Sequence, residues 1–382
     1  MSLVAIESCR SYSFEETQLV MKKVIEDIGG LDFVEPGMTV GVKLNLVAAA
    51  KPDKATTTHP QLVAHLVTML KEKGARVILG DSPGGLYNDA TMTHIYNQCG
   101  ITALEELGAE LNRDYSVEDV TFPEATVLKS FQYTAWLSKC DVVINFCKLK
   151  SHGMMGMSCA AKNMFGTIPG ITKPQYHYRF PDINQFSDML LDLDAYSKPI
   201  ISIVDAVVGM EGNGPTAGKP KAIGAILASK DMHAMDLVCA NIIGLDREGV
   251  PTLQAAYRRG LIPDSVESIE TTNPVENFVV PDFDTLKTHS SLLFSDTFGG
   301  GSFGKAFEKI AGKLLRAQPK VNKVECVGCK KCKEICPASA ITMVDKLPVI
   351  DREKCIKCFC CQEFCPKGAM KVSKSWLMKL IK

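Results

Sequence analysis

The chain has 15 cysteines, and nine of them lie in the last 57 residues. Residues 326–336 and 355–365 each follow the spacing C-x₂-C-x₂-C-x₃-C, each run precedes a proline, and 29 residues separate equivalent positions. In a reducing compartment such clustering indicates metal binding rather than disulfide bonds. Zinc sites also contain C-x₂-C pairs. A zinc ion binds four ligands, however, and this number does not explain why both runs have a third close cysteine and a fourth cysteine before proline. The two runs therefore predict iron–sulfur clusters bound by thiolates.

The same spacing is that of bacterial two-cluster ferredoxins, in which the fourth cysteine of each run binds the other cluster. We therefore predict two 4Fe–4S clusters shared crosswise between the runs. The expected ligands are Cys326, Cys329, Cys332 and Cys365 for the first cluster, and Cys355, Cys358, Cys361 and Cys336 for the second. Cys360 is an extra thiol, either a small buried residue or an alternative ligand.

Basic side chains follow a predicted buried strand in the first part of the chain. Lys148, Lys150 and His152 come directly after the apolar stretch 141–147, and Lys162 follows soon after. Open α/β sheets bind ligands at the carboxyl ends of their strands. Basic groups beside glycines at such ends favour an anion, either carboxylate or phosphate. We predict that these four residues are catalytic, with His152 as an acid–base group or, alternatively, a hydrogen-bonded structural histidine.

The elements that position these residues follow from hydrophobic periodicity. Over residues 1–290, short apolar runs alternate with amphipathic stretches, which predicts an α/β domain with a mostly parallel sheet. The predicted strands are 3–8, 39–45, 75–80, 141–147, 199–208 and 222–228, and the predicted helices are 15–28, 60–73, 232–243 and 252–259. Residues 291–318 are predicted to be a linker with an amphipathic helix, and 319–382 a small α+β ferredoxin-like domain.

Composition and charge limit the class of protein. With 46% hydrophobic and 23% charged residues and zero net charge, the chain is typical of soluble globular proteins, with no signal for nucleic acid. No apolar run reaches the roughly 18 residues of a membrane span, and the start lacks a secretory signal, so we expect a cytoplasmic protein.

The C-terminal part of the chain is basic: from Pro319 onward Lys and Arg exceed Asp and Glu by eight. Clusters with four thiolates, at about −2 each, offset roughly half of this excess. The remainder could form a basic face for a redox partner protein, either electron donor or acceptor.

Three motifs of other enzyme classes occur without the groups that they need. Gly80 to Gly84 fits G-x-S-x-G, but Pro83 lacks the backbone N–H of a hydrolase oxyanion hole. The stretch 212–220 lacks the first glycine and the Ser/Thr of a P-loop, and 299–304 fits G-x-G-x-x-G outside any βαβ unit. These motifs therefore predict neither a serine hydrolase nor a nucleotide site.

Several stretches together resemble the domain-of-unknown-function family 362, whose members are often fused to a two-cluster ferredoxin. They are VGVKLNLV, THP, GDSPGG, KLKSHGMMGMSCAAKNMFG and DAVVGMEGNGPTAGKP. The resemblance covers about residues 1–285 plus the tail, and it implies no agreed substrate. It does imply cofactor-binding positions beside the four basic residues, namely Lys43, Asn45, Asp81, Asn163, Asp205, Glu211 and Gly212.

Together these features predict an iron–sulfur oxidoreductase that relays low-potential electrons to an anionic substrate or cofactor in the large domain. The alternative is a non-catalytic ferredoxin-type carrier or assembly protein whose large domain binds a partner protein. A third hypothesis is a metal or radical enzyme with Asp205 and Glu211 as ligands.

Overall fold

The computed structural model describes residues 2–286 and 317–373, here called the large region and the Cys-rich region. The strands are β1 Leu3–Ser8, β2 Thr39–Lys43, β3 Arg76–Gly80, β4 Glu110–Leu111, β5 Val117–Thr121, β6 Ser130–Thr134, β7 Val142–His152, β8 Gly156–Ser158, β9 Ile201–Glu211, β10 Lys219–Ser229, β11 Glu270–Thr271, β12 Gln318–Val321, β13 Ile341–Val344, β14 Leu347–Ile350 and β15 Met370–Ser373. The helices are α1 Phe14–Asp27, α2 Pro60–Glu72, α3 Asp89–Gln98, α4 Ala135–Ser138, α5 Ala160–Asn163, α6 Lys173–Arg179, α7 Ile183–Ser197, α8 Met232–Ile242, α9 Pro251–Arg258, α10 Lys331–Glu334 and α11 Cys360–Glu363. The amphipathic helix predicted within 291–318 falls almost entirely outside the described residues.

A nine-stranded sheet forms the centre of the large region, in the order β11-β1-β10-β9-β7-β2-β3-β4, with β8 paired to β7. The pairs β9–β7, β7–β2, β2–β3, β3–β4 and β1–β11 are parallel. Strand β10 runs antiparallel between β1 and β9, and β8 runs antiparallel to β7. The predicted α/β fold with a mostly parallel sheet is therefore confirmed.

Alternate residues of the central strands face two separate hydrophobic cores. On β7, Ile144 and Phe146 pack into the core that contains α1 and α2, whereas Cys147 and Leu149 pack into the core that contains α8 and α9. Because side chains alternate across a strand, the sheet is covered on both faces and this part of β7 is buried on both sides.

The predicted strands and helices of the large region are all present, with bounds that differ by a few residues at most ends. Helix α2 begins at Pro60 after the N-cap His59, as predicted. Strand β7 ends five residues later than predicted, because its end pairs with β8 and places Lys150 opposite Ser158. Helix α7 was missed, although Asp182 caps its N-terminus by accepting hydrogen bonds from two backbone N–H groups.

The Cys-rich region consists of the antiparallel pairs β12–β15 and β13–β14, with the short helices α10 and α11 within the cysteine runs. It packs on the loop after β9. The Gln362 amide donates to the Asn213 carbonyl (2.9 Å), and the Val372 N–H donates to Asn213 Oδ1 (3.1 Å). Gly84 lies against the Phe364 ring so closely that a Cβ atom there would be 1.8 Å from the ring. A side chain at position 84 would therefore displace the Phe364 ring from this contact.

Within the residues that the structure describes, no helix is both long enough and apolar enough to cross a membrane.

Candidate functional site

A crevice lies between the carboxyl ends of β2, β3 and β7 and the Cys-rich region, and it encloses about 590 Å³ including its open mouth. Its basic lining comes from Lys150, His152, Lys162, Lys173 and His177. The Cys-rich region contributes Cys360, Glu363 and Phe364 to the same crevice. Parallel strands bring residues that are far apart in the chain to one edge of the sheet, as expected for a ligand site of an α/β fold.

Three lysines give the crevice its positive charge, and each is held differently. Lys150 Nζ donates to Asn45 Oδ1 (2.7 Å) and to the Thr56 carbonyl (2.8 Å). Lys173 Nζ donates to the backbone carbonyl of Ser82 (2.7 Å). Lys162 Nζ lies 4.7 Å from the centre of the Phe165 ring and makes no hydrogen bond to the described part of the chain. Lys162 is therefore the lysine with the most donor capacity left for a ligand.

Burial changes the protonation of these lysines. It lowers the pKa of Lys173 to about 7. Burial together with the nearby charge of Lys148 lowers the pKa of Lys150 to about 7 as well. Burial also lowers the pKa of Lys162. A low-dielectric site disfavours the charged form of an amine unless an anion is present, so an anionic ligand would restore this charge.

His152 is oriented by its backbone surroundings. Its Nδ1 accepts hydrogen bonds from the backbone N–H groups of Met154 (3.0 Å) and Met155 (3.2 Å). Because Nδ1 accepts, the proton of the neutral ring must lie on Nε2. Nε2 is 2.9 Å from Glu363 Oε1, but the two atoms lack the alignment of a hydrogen bond. Burial lowers the pKa of His152 in spite of the carboxylate, so the ring is a neutral donor facing the crevice.

Two lining residues, His177 and Lys173, were not predicted from the sequence. His177 stacks on Phe186 with ring centroids 4.4 Å apart, and its buried Nδ1 has no hydrogen-bond partner among the described residues. Burial lowers its pKa to about 3, so it also faces the crevice in its neutral form. The available signal was the start of a short helix at Lys173-Pro174, where proline suits the first turn.

Four predicted positions form a polar network at the floor of the crevice. Lys43 Nζ lies 2.8 Å from Asp81 Oδ1, and both side chains are buried. Asn163 Oδ1 accepts from Lys43 Nζ (3.2 Å) and from Asn45 Nδ2 (2.9 Å). Gly166 covers the ion pair so closely that a Cβ atom would lie 2.3 Å from Asp81 Oδ1. Asn45, Asp81 and Asn163 line the crevice, whereas Lys43 supports them from below.

Lys148 and Asp205 lie elsewhere, in a buried ion pair outside the crevice lining. They are register partners on β7 and β9, and Lys148 Nζ is 2.8 Å from Asp205 Oδ2. The Tyr12 hydroxyl donates to Asp205 Oδ1 and accepts from Lys148 Nζ, both at 2.8 Å. Asp205 is thus already paired, so its role as a metal or cofactor ligand remains a prediction without geometric support.

Glu211 and Gly212 also do not line the crevice. The Glu211 carboxylate accepts from the backbone N–H of Asp284 (3.0 Å), and the Gly212 carbonyl accepts from Ser151 Oγ (2.8 Å). Their contacts hold the loop after β9 on which the Cys-rich region docks. Across residues 2–286 and 317–373, no group of three His, Cys, Asp or Glu side chains is placed to hold a single metal ion.

The cysteines of the two runs line two open cavities of about 360 and 330 Å³, including their mouths. The first is lined by Cys326, Cys329, Cys332 and Cys365, and the second by Cys336, Cys355, Cys358, Cys361 and Cys360. Each cavity thus takes three cysteines from one run and the fourth from the other. Thiols that surround a space, rather than converge on a point, fit a cubane cluster, although the ligand assignment remains a prediction.

The two cavities differ in their exposure. Cys329 in the first is exposed, whereas Cys358 and Cys361 in the second are buried. Cys360 lines both the second cavity and the crevice, so its thiol lies in the wall between them. Glu363 and Phe364 follow it into the crevice. The second cavity is therefore the one that faces the basic residues of the large region.

Lys150 and Lys173 make anion binding depend on pH. Both pKa values are about 7, so both ammonium groups lose their charge as the pH rises through neutrality. We expect the dissociation constant of sulfate, whose own charge stays constant, to increase at least about tenfold between about pH 6 and about pH 8. Isothermal titration calorimetry measures this, and Lys150→Met should flatten the dependence. An affinity that does not change over this range would contradict the assignment.

The fold and the cysteine cavities define an α/β protein joined to an iron–sulfur module. Residues 318–366 match the model of a 4Fe-4S dicluster domain, so the chain is an iron–sulfur protein. Residues 40–241 match the model of a domain of unknown function (DUF362), and the chain belongs to this family. The resemblance found in the motifs is thereby confirmed.

A curated relative and two solved structures extend the comparison. The thylakoid-associated protein sll1697 of Synechocystis sp. is 31% identical over 292 residues, which cover 73% of this chain and 88% of that protein. The lactate racemase apoprotein of Thermoanaerobacterium thermosaccharolyticum has a TM-score of 0.39 at 11% identity, over 62% of this chain and 56% of that one. A protein of Thermotoga maritima has a TM-score of 0.38 at 11% identity, over 59% of this chain and 57% of that one.

Proposed function

We propose that this iron–sulfur protein is an oxidoreductase that acts on a small anion bound in the crevice. One observation carries the proposal. Cys360 and Glu363 of the Cys-rich region line the same crevice as Lys150, Lys162 and His152. A basic binding site and the wall of a cysteine cavity therefore share one crevice, which is the arrangement that redox chemistry on a bound anion requires.

We infer that the two cavities hold two 4Fe–4S clusters, each bound by the crosswise set of four cysteines that lines it, with Cys360 as a wall residue rather than a ligand. When bound, such clusters supply single electrons at potentials set by their surroundings. The spacing C-x₂-C-x₂-C-x₃-C and the placement of one cysteine from the opposite run in each cavity support this number and this assignment.

The residues of the large region would bind the anion and stabilise negative charge that develops on it. Lys162, with no hydrogen bond to the described residues, would contact the anion directly, and Lys150, which donates to Asn45, would add positive charge. His152 presents Nε2–H to the crevice, since Nδ1 is occupied by two backbone donors. A donor held in this way is suited to hydrogen-bond a ligand atom that gains negative charge.

The test uses intact chain purified without oxygen, with iron and acid-labile sulfide measured first. A panel of small carboxylates and phosphate esters is screened for binding by thermal shift, and binders are then tested as oxidants of the dithionite-reduced protein by visible absorbance. At least one anion should both raise the melting temperature and speed reoxidation. His152→Gln should slow that reoxidation by about 100-fold or more, because loss of one placed donor to developing negative charge has effects of this order.

Exposed Lys51 supplies the matched control, and Lys51→Gln should leave reoxidation unchanged. If no anion binds and the chain instead captures a protein partner through its large region, the oxidoreductase proposal fails and the non-catalytic carrier is favoured. Zinc in place of iron and sulfide would remove the redox function altogether.

A further inference from the structure

The first cysteine cavity opens on a basic and partly apolar surface. Three exposed lysines, Lys330, Lys331 and Lys367, line its rim, and Cys329 is itself exposed. Val327 of the same lining is 61% exposed, and Val324, which precedes it by three residues, is 96% exposed. We call these three lysines and two valines the lysine face. Exposed aliphatic side chains within a polar rim are the usual composition of a protein interface.

The charge of the lysine face is largely uncompensated. Lys331 lies 3.2 Å from Glu334, but both side chains are exposed, so this pair contributes little. Lys330 and Lys367 form no ion pair within the described part of the chain. Lys346 adds a further exposed lysine, since its backbone packs against Gly328, which lines the cavity. The face therefore attracts negative charge and repels positive partners.

The second cavity differs from the first in that one of its walls faces the large region. Its cysteines Cys358 and Cys361 are buried, and Cys360 separates it from the crevice of the large region. A protein partner can approach the first cavity at the exposed Cys329, whereas Cys360 places one wall of the second cavity at the crevice. The Cys-rich region therefore has one side that is open to a partner protein and another side that faces the crevice.

We propose that the lysine face is the docking surface for a small electron-carrier protein with an acidic surface. The inference deepens the proposed function and rests on the clusters being present. An acidic carrier fits this surface because its charge complements that of Lys330 and Lys367, and because Cys329 of the first cavity, which precedes Lys330 in the chain, is exposed. Complementary charge accelerates association strongly and makes it sensitive to salt, as suits a transient partner.

The test measures binding of an acidic flavodoxin to the intact chain by biolayer interferometry without oxygen. In Lys330→Glu/Lys367→Glu the dissociation constant at about 50 mM NaCl should rise at least about tenfold, mainly through slower association. The control Lys22→Glu/Lys51→Glu changes net charge equally at exposed sites of the large region and should bind like wild type. For wild type, association should slow by about tenfold or more when NaCl is raised to about 500 mM.

Each variant is used only after its iron content and circular dichroism spectrum match those of wild type. If the glutamate variant does not match, Lys330→Gln/Lys367→Gln is used in its place. Unchanged affinity in the lysine-face variants would overturn the proposal. So would equal weakening in the control, since it would show an effect of net charge alone. The iron assay reports separately on the proposed function, so a chain without clusters is recognised before docking is measured.

Discussion

Lys162→Met is expected to weaken sulfate or phosphate binding in the crevice by about 10- to 100-fold, because a hydrogen bond to a charged group contributes about 1.5–3 kcal/mol. Lys162 Nζ makes no hydrogen bond to the described residues and lies over the Phe165 ring, so the loss should fall on ligand binding rather than on folding. Calorimetric titration measures the affinity. The iron content and the melting temperature should stay at the wild-type values.

The matched comparison is Lys51→Met, an exposed lysine of the same region, which should bind the anion as wild type does. A Lys162→Met protein that binds sulfate with unchanged affinity would show that the crevice is not the anion site. The proposed oxidoreductase function would lose its substrate site with it.

The second large effect concerns folding. Lys148→Met should lower the free energy of unfolding by about 3–5 kcal/mol, because removing one partner of a buried ion pair leaves an uncompensated charge. The remaining charge would be Asp205, which is fully buried and which Lys148 Nζ contacts at 2.8 Å. Equilibrium urea unfolding of the intact chain measures the change.

Adding Asp205→Asn to Lys148→Met should restore much of the lost stability, since the unpaired charge is then gone. This double variant also separates stability from chemistry. If it folds and still reoxidises with the crevice anion, Lys148 has a structural role, as its absence from the crevice lining suggests. If Lys148→Met alone is as stable as wild type, the Lys148–Asp205 ion pair does not stabilise the fold.

Much of the fold could be predicted, because hydrophobic periodicity reports directly on which side of a strand or helix is buried. The mostly parallel sheet and the start of α2 at Pro60 follow from such local signals. The end of β7 was placed too early. Its basic residues look like loop residues in the sequence, yet the hairpin with β8 keeps them in extended pairing up to His152.

The crevice was predicted in part. Lys150, His152 and Lys162 do come together, as expected for residues near one strand end. Lys148 was assigned to the same group, but it lies opposite Asp205 on the neighbouring strand, and the β7–β9 pairing shifts register between Lys148 and Lys150. An irregularity of this kind redirects side chains and leaves no mark in the spacing of the residues.

The spacing of the cysteine runs is enough to predict their chemistry, because their members are only a few residues apart and stay close in any fold that the chain adopts. Only the packing of the two regions shows that Cys360, Glu363 and Phe364 meet Lys162 and His152 in one crevice. Glu363 and His152 are more than 200 positions apart in the chain. The 2.9 Å distance between Glu363 Oε1 and His152 Nε2 depends on docking of the Cys-rich region against the loop after β9. Contacts between such distant segments arise from packing, which local sequence patterns do not encode.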